Sequence, residues 1–312
     1  MIETVRGRVA AEELGRALPH EHIFVLTPDS QANWSDEWDE AARCSEAIAQ
    51  LRQVVAAGYR TIIDPTVDGL GRNVARVARV NADVPELNIV VATGIYTWSQ
   101  VPNFFAYRSD QTMIECFVRD LTEEIRGTDG IKAAFLKCAV DEAGLLPGVE
   151  RVLRNICAAH RATDAPVMVH THPATQNAIQ IAKVLAAEEV AASSVVLAHS
   201  GDSTDTGYLT SLADEGFFLG MDRFGLPGPD TVERTRTVIT MCELGYAGSM
   251  MLSHDTASYI DWIDQPVRLA DWHYLHIETG VLPELRRSGV SDEQIDQMQV
   301  ENPRRWLVSR DV

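Results

Sequence analysis

Short apolar runs rich in β-branched residues alternate with longer, polar-faced stretches along most of this chain. The runs are His22–Leu26, Thr61–Pro65, Asn88–Thr93, Ile131–Cys138, Pro166–His170, Ser194–His199, Phe217–Met221 and Met250–Ser253. Between them lie segments such as Glu46–Ala57, Met113–Arg126, Gly148–Arg161, Gln176–Glu189 and Thr231–Leu244, whose apolar residues recur at helical spacing. Strand candidates alternating with helices imply parallel strands joined by crossover helices. Eight such runs within roughly 250 residues predict a closed (β/α)8 TIM barrel rather than an open sheet. No Gly-, Pro- or Ser-rich linker divides the chain, so one domain is expected over residues 1–312. The acidic piece Ser35–Glu46 leads into the first helix as a solvated face.

Metal-competent side chains stand where these runs begin or end. His20 and His22 sit in LPHEHIFVL, Lys137 in IKAAFLKCAVDE, His170 at the end of APVMVH, His199 at the end of SSVVLAH and Asp255 in SMMLSHDT. On a strand, residues two apart share a face, so the two histidines of HEH would project together. In a parallel barrel all strand C-termini meet on one face, where active sites are built. His20 and His22 join that face only if the first strand begins a few residues before the run. Each residue alone has a plain explanation: a hydrogen-bonded histidine, a snorkelling lysine, a helix-capping aspartate. All six at matching places point to a metal site.

Charge and composition narrow the partners. The net charge of −18 argues against nucleic acid, which is bound through clustered Lys and Arg. Three of the 27 basic residues are lysines (Lys132, Lys137 and Lys183), so a lysine inside an apolar run stands out. No window approaches a membrane span, and no GxGxxG or GxxxxGK phosphate loop occurs. The five cysteines form no CxxC pair and read as reduced thiols. The first residues lack the apolar core of a secretory signal. A cytoplasmic protein is the expectation.

HEH in the first run, lysine in the fourth, histidines ending the fifth and sixth and aspartate ending the eighth resemble the binuclear amidohydrolase pattern. More narrowly, the chain resembles the phosphotriesterase family and its phosphotriesterase-like lactonase branch. The likeness spans LPHEHIF, ELNIVVATGIYTW, FLKCAVDEAGLLPGVERVLR, HTHP, HSGDSTDTGYL, GMDRFGL, LSHDT and ENPRRWL, nearly the whole chain. It implies two divalent metals, zinc first, with cobalt, manganese or iron also compatible with mixed His and carboxylate ligands. His20, His22 and Asp255 would hold the more buried ion, and His170 and His199 the more exposed one. Lys137 would bridge both as N6-carboxylysine, because an ammonium cannot ligate a cation whereas a carbamate offers two oxygens. Carboxylation requires a neutral amine, which the apolar FLKCA context favours.

The same resemblance implies attack by a hydroxide shared between the metals, with Asp255 moving the proton to the leaving oxygen. Tyr96 in GIYTW and Arg223 in GMDRFG would contact substrate, although rim packing and a surface ion pair explain these two residues equally well. Trp98 and Trp262 line the substrate channel or simply pack. The implied activity is opening of N-acyl-homoserine lactones or other γ- and δ-lactones, hence quorum quenching, with organophosphate triester hydrolysis on the side. A phosphotriesterase with a phosphate-ester substrate is the alternative, and a metal-free barrel homologue a more distant one. RFGLPGPDTVERT and TASYIDWIDQPVRLADW are short for the family, which would reshape the leaving-group pocket. VPNFFAY would contribute to a homodimer contact.

The remaining histidines receive structural readings. His160 is expected on an exposed helix face, and His273 and His276 are expected to pack at i, i+3 on one helix. His172 shares a face with His170 but lies outside the metal shell. His254 points opposite to Asp255, and Glu21 opposite to His20 and His22. Asp141–Gly148, DEAGLLPG, reads as a turn before a helix.

Overall fold

Eight parallel strands curve around a common axis in this computed structural model, which describes residues 1–34, 37–264 and 269–308. They are β1 (Ala17–Leu18), β2 (Thr61–Asp64), β3 (Asn88–Ile95), β4 (Phe135–Ala139), β5 (Val167–His170), β6 (Val195–Ala198), β7 (Phe218–Met221) and β8 (Met250–Leu252). Each pairs in parallel with the next in chain order. Helices Glu40–Ala56, Val74–Ala82, Asp110–Thr122, Pro147–Thr163, Ala178–Ala187, Thr206–Asp214 and Thr231–Glu243 make the crossovers. The result is the expected (β/α)8 barrel. Side chains of Asp39, Asn73, Ser109, Asp205 and Asp230 accept from the first-turn N–H groups of five of these helices. Each such cap is worth about 1 kcal/mol.

The first strand lies earlier than its apolar run suggests. Ala17–Leu18, not His22–Leu26, pairs with Thr61–Ile62 in the barrel. Pro19 follows directly and has no N–H to continue the ladder. His20 and His22 therefore stand beyond the C-terminal end of β1, on the same face as the other strand-end residues. The circle closes there: Asp255 N–H donates to the His20 carbonyl at 3.1 Å, and His22 N–H to that of Thr256 at 2.8 Å. A rim pair, His22–Val25 with Ala257–Ile260, extends the closure.

Alternation along the strands sorts residues between two cores. Leu136, Cys138, Val167, Val169, Val195 and Leu197 pack outward under the helices. Phe135, Met168, Val196, Ala198 and Met251 fill the barrel. The same period carries Lys137 and His170 inward at the top of that interior core. His199 follows inward-facing Ala198 and on an ideal strand would point out. Its backbone is left-handed (φ 68°), which turns the ring back to the barrel mouth. Beside Lys137 stands Gly94, its register partner on β3. A Cβ on Gly94 would lie 1.8 Å from the Lys137 carbonyl oxygen, so only glycine lets the two strands meet here.

Two histidine expectations are corrected. His160 is buried, not exposed, because it continues the stripe Val149, Val152, Leu153, Ile156 that faces the barrel. Its Nδ1 donates to the Ala165 carbonyl at 2.8 Å. His273 lies in a bend, not on a helix with His276; continuous helical structure begins only at His276 and runs into Ile277–Val281. His276 does pack structurally, with Nε2 2.9 Å from Thr231 Oγ1. Asp141–Gly144 forms the expected turn before Pro147–Thr163. Of the compact segments, 223–235 is described throughout, whereas 265–268 within Thr256–Trp272 and 35–36 of the acidic piece lie outside the described residues. Among the described residues no helix is long and apolar enough to cross a membrane.

Candidate metal centre

All six ligand candidates converge at the C-terminal mouth of the barrel, in a cavity of about 200 Å³. Asp255 Oδ1 lies 3.2 Å from His20 Nε2 and 3.3 Å from His22 Nε2. Across the cavity, His199 Nε2 is 2.8 Å from His170 Nδ1. Lys137 is buried and lines the same cavity, and among the described residues its Nζ has no hydrogen-bond partner. Asp255, like His199, is a non-glycine residue in left-handed backbone, with φ 53°. Such conformations cost of order 1–3 kcal/mol and persist where surrounding structure enforces them.

Every imidazole has its second nitrogen tied to oxygen. His20 Nδ1 donates to Asp222 Oδ2 at 2.7 Å, and His199 Nδ1 to Asp222 Oδ1 at 3.0 Å. His22 Nδ1 donates to Thr66 Oγ1 at 2.7 Å, whose hydroxyl donates to Asp64 Oδ1 at 2.5 Å. His170 Nε2 donates to Asp141 Oδ2 at 2.9 Å. The other nitrogen of each ring, Nε2 of His20, His22 and His199 and Nδ1 of His170, is thereby turned towards the cavity, the arrangement that orients metal-binding histidines. Asp222 also forms a compact trio with His20 and His199. Both its oxygens are spent on their Nδ1 atoms, so it is an orienting carboxylate.

Burial and charge set the protonation states. Burial holds His170 down at about 4, against the opposing pull of Asp141. Burial also drives His199 well below its usual range. Burial alone would raise Asp255, but His20 and His199 outweigh it and keep the carboxyl well below its ordinary value. His20 is pushed down by burial and Lys137, yet Asp255 and Asp222 leave it net raised. Burial lowers Lys137 to about 8. A divalent cation fits this set: the rings of His170 and His199 held unprotonated, an ionised Asp255 carboxylate and a buried amine without a hydrogen-bond partner among the described residues.

The four substrate-contact candidates surround the same mouth. The Tyr96 hydroxyl is 3.4 Å from His170 Nδ1 and accepts from Trp98 Nε1 at 3.2 Å. Rings of Tyr96, Trp98 and Trp262 stand 5.8 to 6.1 Å apart in a triangle. Trp98 and Trp262 are 53% and 40% exposed; Trp262 lines the cavity, whereas Trp98 is not among its lining residues and packs on the rings of Tyr96 and Trp262. Val25, Leu70, Leu226, Ile260 and Trp272 complete an apolar wall. Arg223 is no surface ion pair: it lines the cavity and bonds Asp255 and Asp202. A larger cleft of about 490 Å³, by His160 and Trp306, contains none of these residues.

His172 bonds Thr175 and takes no part in the cluster. His254 and Glu21 bond each other away from the cavity. Residue patterns missed Asp64, Asp141 and Asp222. Each directly follows a buried apolar residue at or just beyond the end of a strand run (TIID, CAVD, LGMD), a signal that could have found them.

The chain matches the phosphotriesterase family over residues 1–307. It is 46% identical to the phosphotriesterase homology protein of Mycobacterium tuberculosis (strain ATCC 25618 / H37Rv), with 97% of this chain and 96% of that protein covered. It is 31% identical to the aryldialkylphosphatase of Saccharolobus solfataricus, covering 97% and 98%. The solved structure of the phosphotriesterase from Mycobacterium tuberculosis matches with TM-score 0.95 and 46% identity, covering 99% of this chain and 98% of that one.

Proposed function

The chain belongs to the phosphotriesterase family of hydrolases, and from that premise we propose that it is a binuclear lactonase. Its substrates are N-acyl-homoserine lactones or other γ- and δ-lactones, with organophosphate triester hydrolysis as a side activity. The observation that carries this reading is the Tyr96 hydroxyl beside His170, facing a cavity with an apolar wall. A phenol there can donate to a lactone oxygen while Leu226, Ile260 and Trp262 take the acyl chain.

In this reading His20, His22 and Asp255 hold one divalent ion and His170 and His199 the other. Lys137, carboxylated on Nζ, would serve both ions, and zinc is the expected metal. Such ions, when bound, supply Lewis acidity and a water acidic enough to attack near neutral pH. Asp255 accepts the proton of the attacking water and delivers it to the ring oxygen as the acyl C–O bond breaks. Arg223 holds Asp255 in the orientation that this transfer needs. The product is the open hydroxy acid.

A panel of lactones varied in ring size and acyl length, run beside paraoxon, tests the reading. Lactones should win by kcat/KM. If phosphate triesters beat every lactone, the chain is instead a phosphotriesterase, a reading favoured by its likeness to an aryldialkylphosphatase. Less than one metal equivalent per chain by elemental analysis would leave a non-catalytic barrel. We also propose a homodimer through the segment bearing Phe104 and Tyr107, which are 55% and 100% exposed; sedimentation would show a monomer if this is wrong.

A further inference from the structure

Glu21, the middle residue of HEH, is fully buried and faces away from the cavity. Its oxygens act only as acceptors. Oε1 takes Ser253 Oγ at 2.8 Å, His254 N–H at 2.9 Å and His254 Nδ1 at 2.6 Å, and Oε2 takes Thr256 N–H at 3.0 Å. The donors come from residues 253, 254 and 256 and skip Asp255, whose own N–H goes to the His20 carbonyl. A backbone curled around one carboxylate in this way must turn sharply, and it turns at Asp255, the left-handed residue. That turn throws the Asp255 side chain to the opposite side, against His20 and His22. His254 is fixed in turn: Ile277 N–H donates to its Nε2 at 3.0 Å, leaving Nδ1 as the donor to Glu21.

We propose that Glu21 is a positioning residue that locks His20, His22 and Asp255 into one unit and thereby sets how firmly their shared ion is held. The proposal rests on the reading that these three residues bind metal. A buried carboxylate is costly unless its hydrogen bonds are complete, and here its bonds span the strand end that carries Asp255. His170 and His199 receive nothing from Glu21, so the effect should be confined to one of the two ions.

Glu21→Gln keeps the shape but replaces one acceptor oxygen with an NH2 group. If the amide oxygen keeps the Ser253 and His254 donors, the NH2 faces Thr256 N–H, donor against donor, one residue from Asp255. The test is chelator titration of zinc-loaded wild-type and variant protein with elemental analysis, together with melting midpoints of loaded and metal-free forms. One equivalent should leave the variant at about tenfold lower chelator concentration, while the other leaves as in wild type. The metal-dependent rise in melting midpoint should shrink more than the metal-free midpoint falls. Unchanged release of both equivalents, or an equal drop of both midpoints, would overturn the proposal. His254→Asn, which removes the shortest of the Glu21 bonds, should loosen the same equivalent if Glu21→Gln does not fold; unaltered release there overturns it as well. Wild-type protein that holds no zinc would overturn the metal-site reading itself, a result distinct from the others.

Discussion

Arg223 Nε donates to Asp255 Oδ2 at 3.0 Å. Its Nη1 donates to Asp202 Oδ2 at 2.9 Å, and Asp202 is gripped from below by buried Arg234 at 2.6 Å. Arg234 also binds the carbonyls of Leu226 and Pro229, so the loop after β7 is fastened to the carboxylate at the heart of the cluster. Burial disfavours the Arg223 charge, but Asp255 and Asp202 outweigh it and keep the guanidinium charged.

Arg223→Ala should therefore leave metal content intact and lower kcat/KM by about a hundredfold, the scale of a misplaced reacting group. Arg223→Lys should recover only part of this, because an ammonium cannot bridge two carboxylates with a planar fork. Steady-state kinetics paired with elemental analysis checks both, and full activity in Arg223→Ala would remove Arg223 from the machinery.

Lys137 yields a second test. Its buried Nζ, without a hydrogen-bond partner among the described residues, fits the proposed carboxylation of that nitrogen. Lys137→Ala should lose metal and most activity, and small carboxylic acids such as acetate should restore part of both by standing in for the carbamate. An active Lys137→Ala protein that retains its metal without added acid would contradict the assignment.

How much of this centre the residues announce depends on whether a role is local. Lys137, His170 and His199 are all legible as polar side chains within or ending apolar runs, and strict alternation on buried strands carries the first two inward. His199 breaks that parity and reaches the mouth through its own left-handed backbone, which periodicity does not show. The first strand was misplaced because Ala17–Leu18 is too short to show a pattern. Asp222 and Asp141 escaped because each acts on rings contributed by other strands. Nothing in a linear pattern tells which distant histidine an aspartate will meet.

Acid should destabilise the metal-free protein before its carboxylates titrate. His170 has a folded value of about 4 against an ordinary 6.5, so the unfolded chain takes up a proton that the folded ring refuses. The stability this contributes is complete above 6.5 and is lost as pH falls towards 4. His199 acts in the same direction. His20 opposes them: its raised folded value contributes below the ordinary value and fades as pH rises through the folded one. With two buried rings against one, melting of the metal-free protein should shift downward from about pH 7 to about pH 5. A midpoint that is flat or rises over that interval would contradict these protonation states.

Asp222 is the most connected orienting group, and its amide variant separates charge from shape. Its two oxygens serve Nδ1 of His20 and of His199, on opposite sides of the cluster, and Oδ1 also accepts His199 N–H at 2.8 Å. In Asp222→Asn one of those oxygens becomes an NH2 group. Whichever way the amide turns, one imidazole then meets a donor and must rotate or move its proton to the nitrogen that faces the cavity. That proton removes a metal lone pair. Because the two rings belong to different halves of the proposed centre, the variant should weaken one ion and not both, by about 10–100-fold. Gly220 adds a steric control: a Cβ there would lie 2.4 Å from Asp222 Oδ2, so Gly220→Ala should displace the same carboxylate without altering its charge. Loss of metal in both variants would identify position as the property that matters. Loss in Asp222→Asn alone would assign the effect to the second acceptor oxygen, and retention in both would mean that the rings are held by their other contacts.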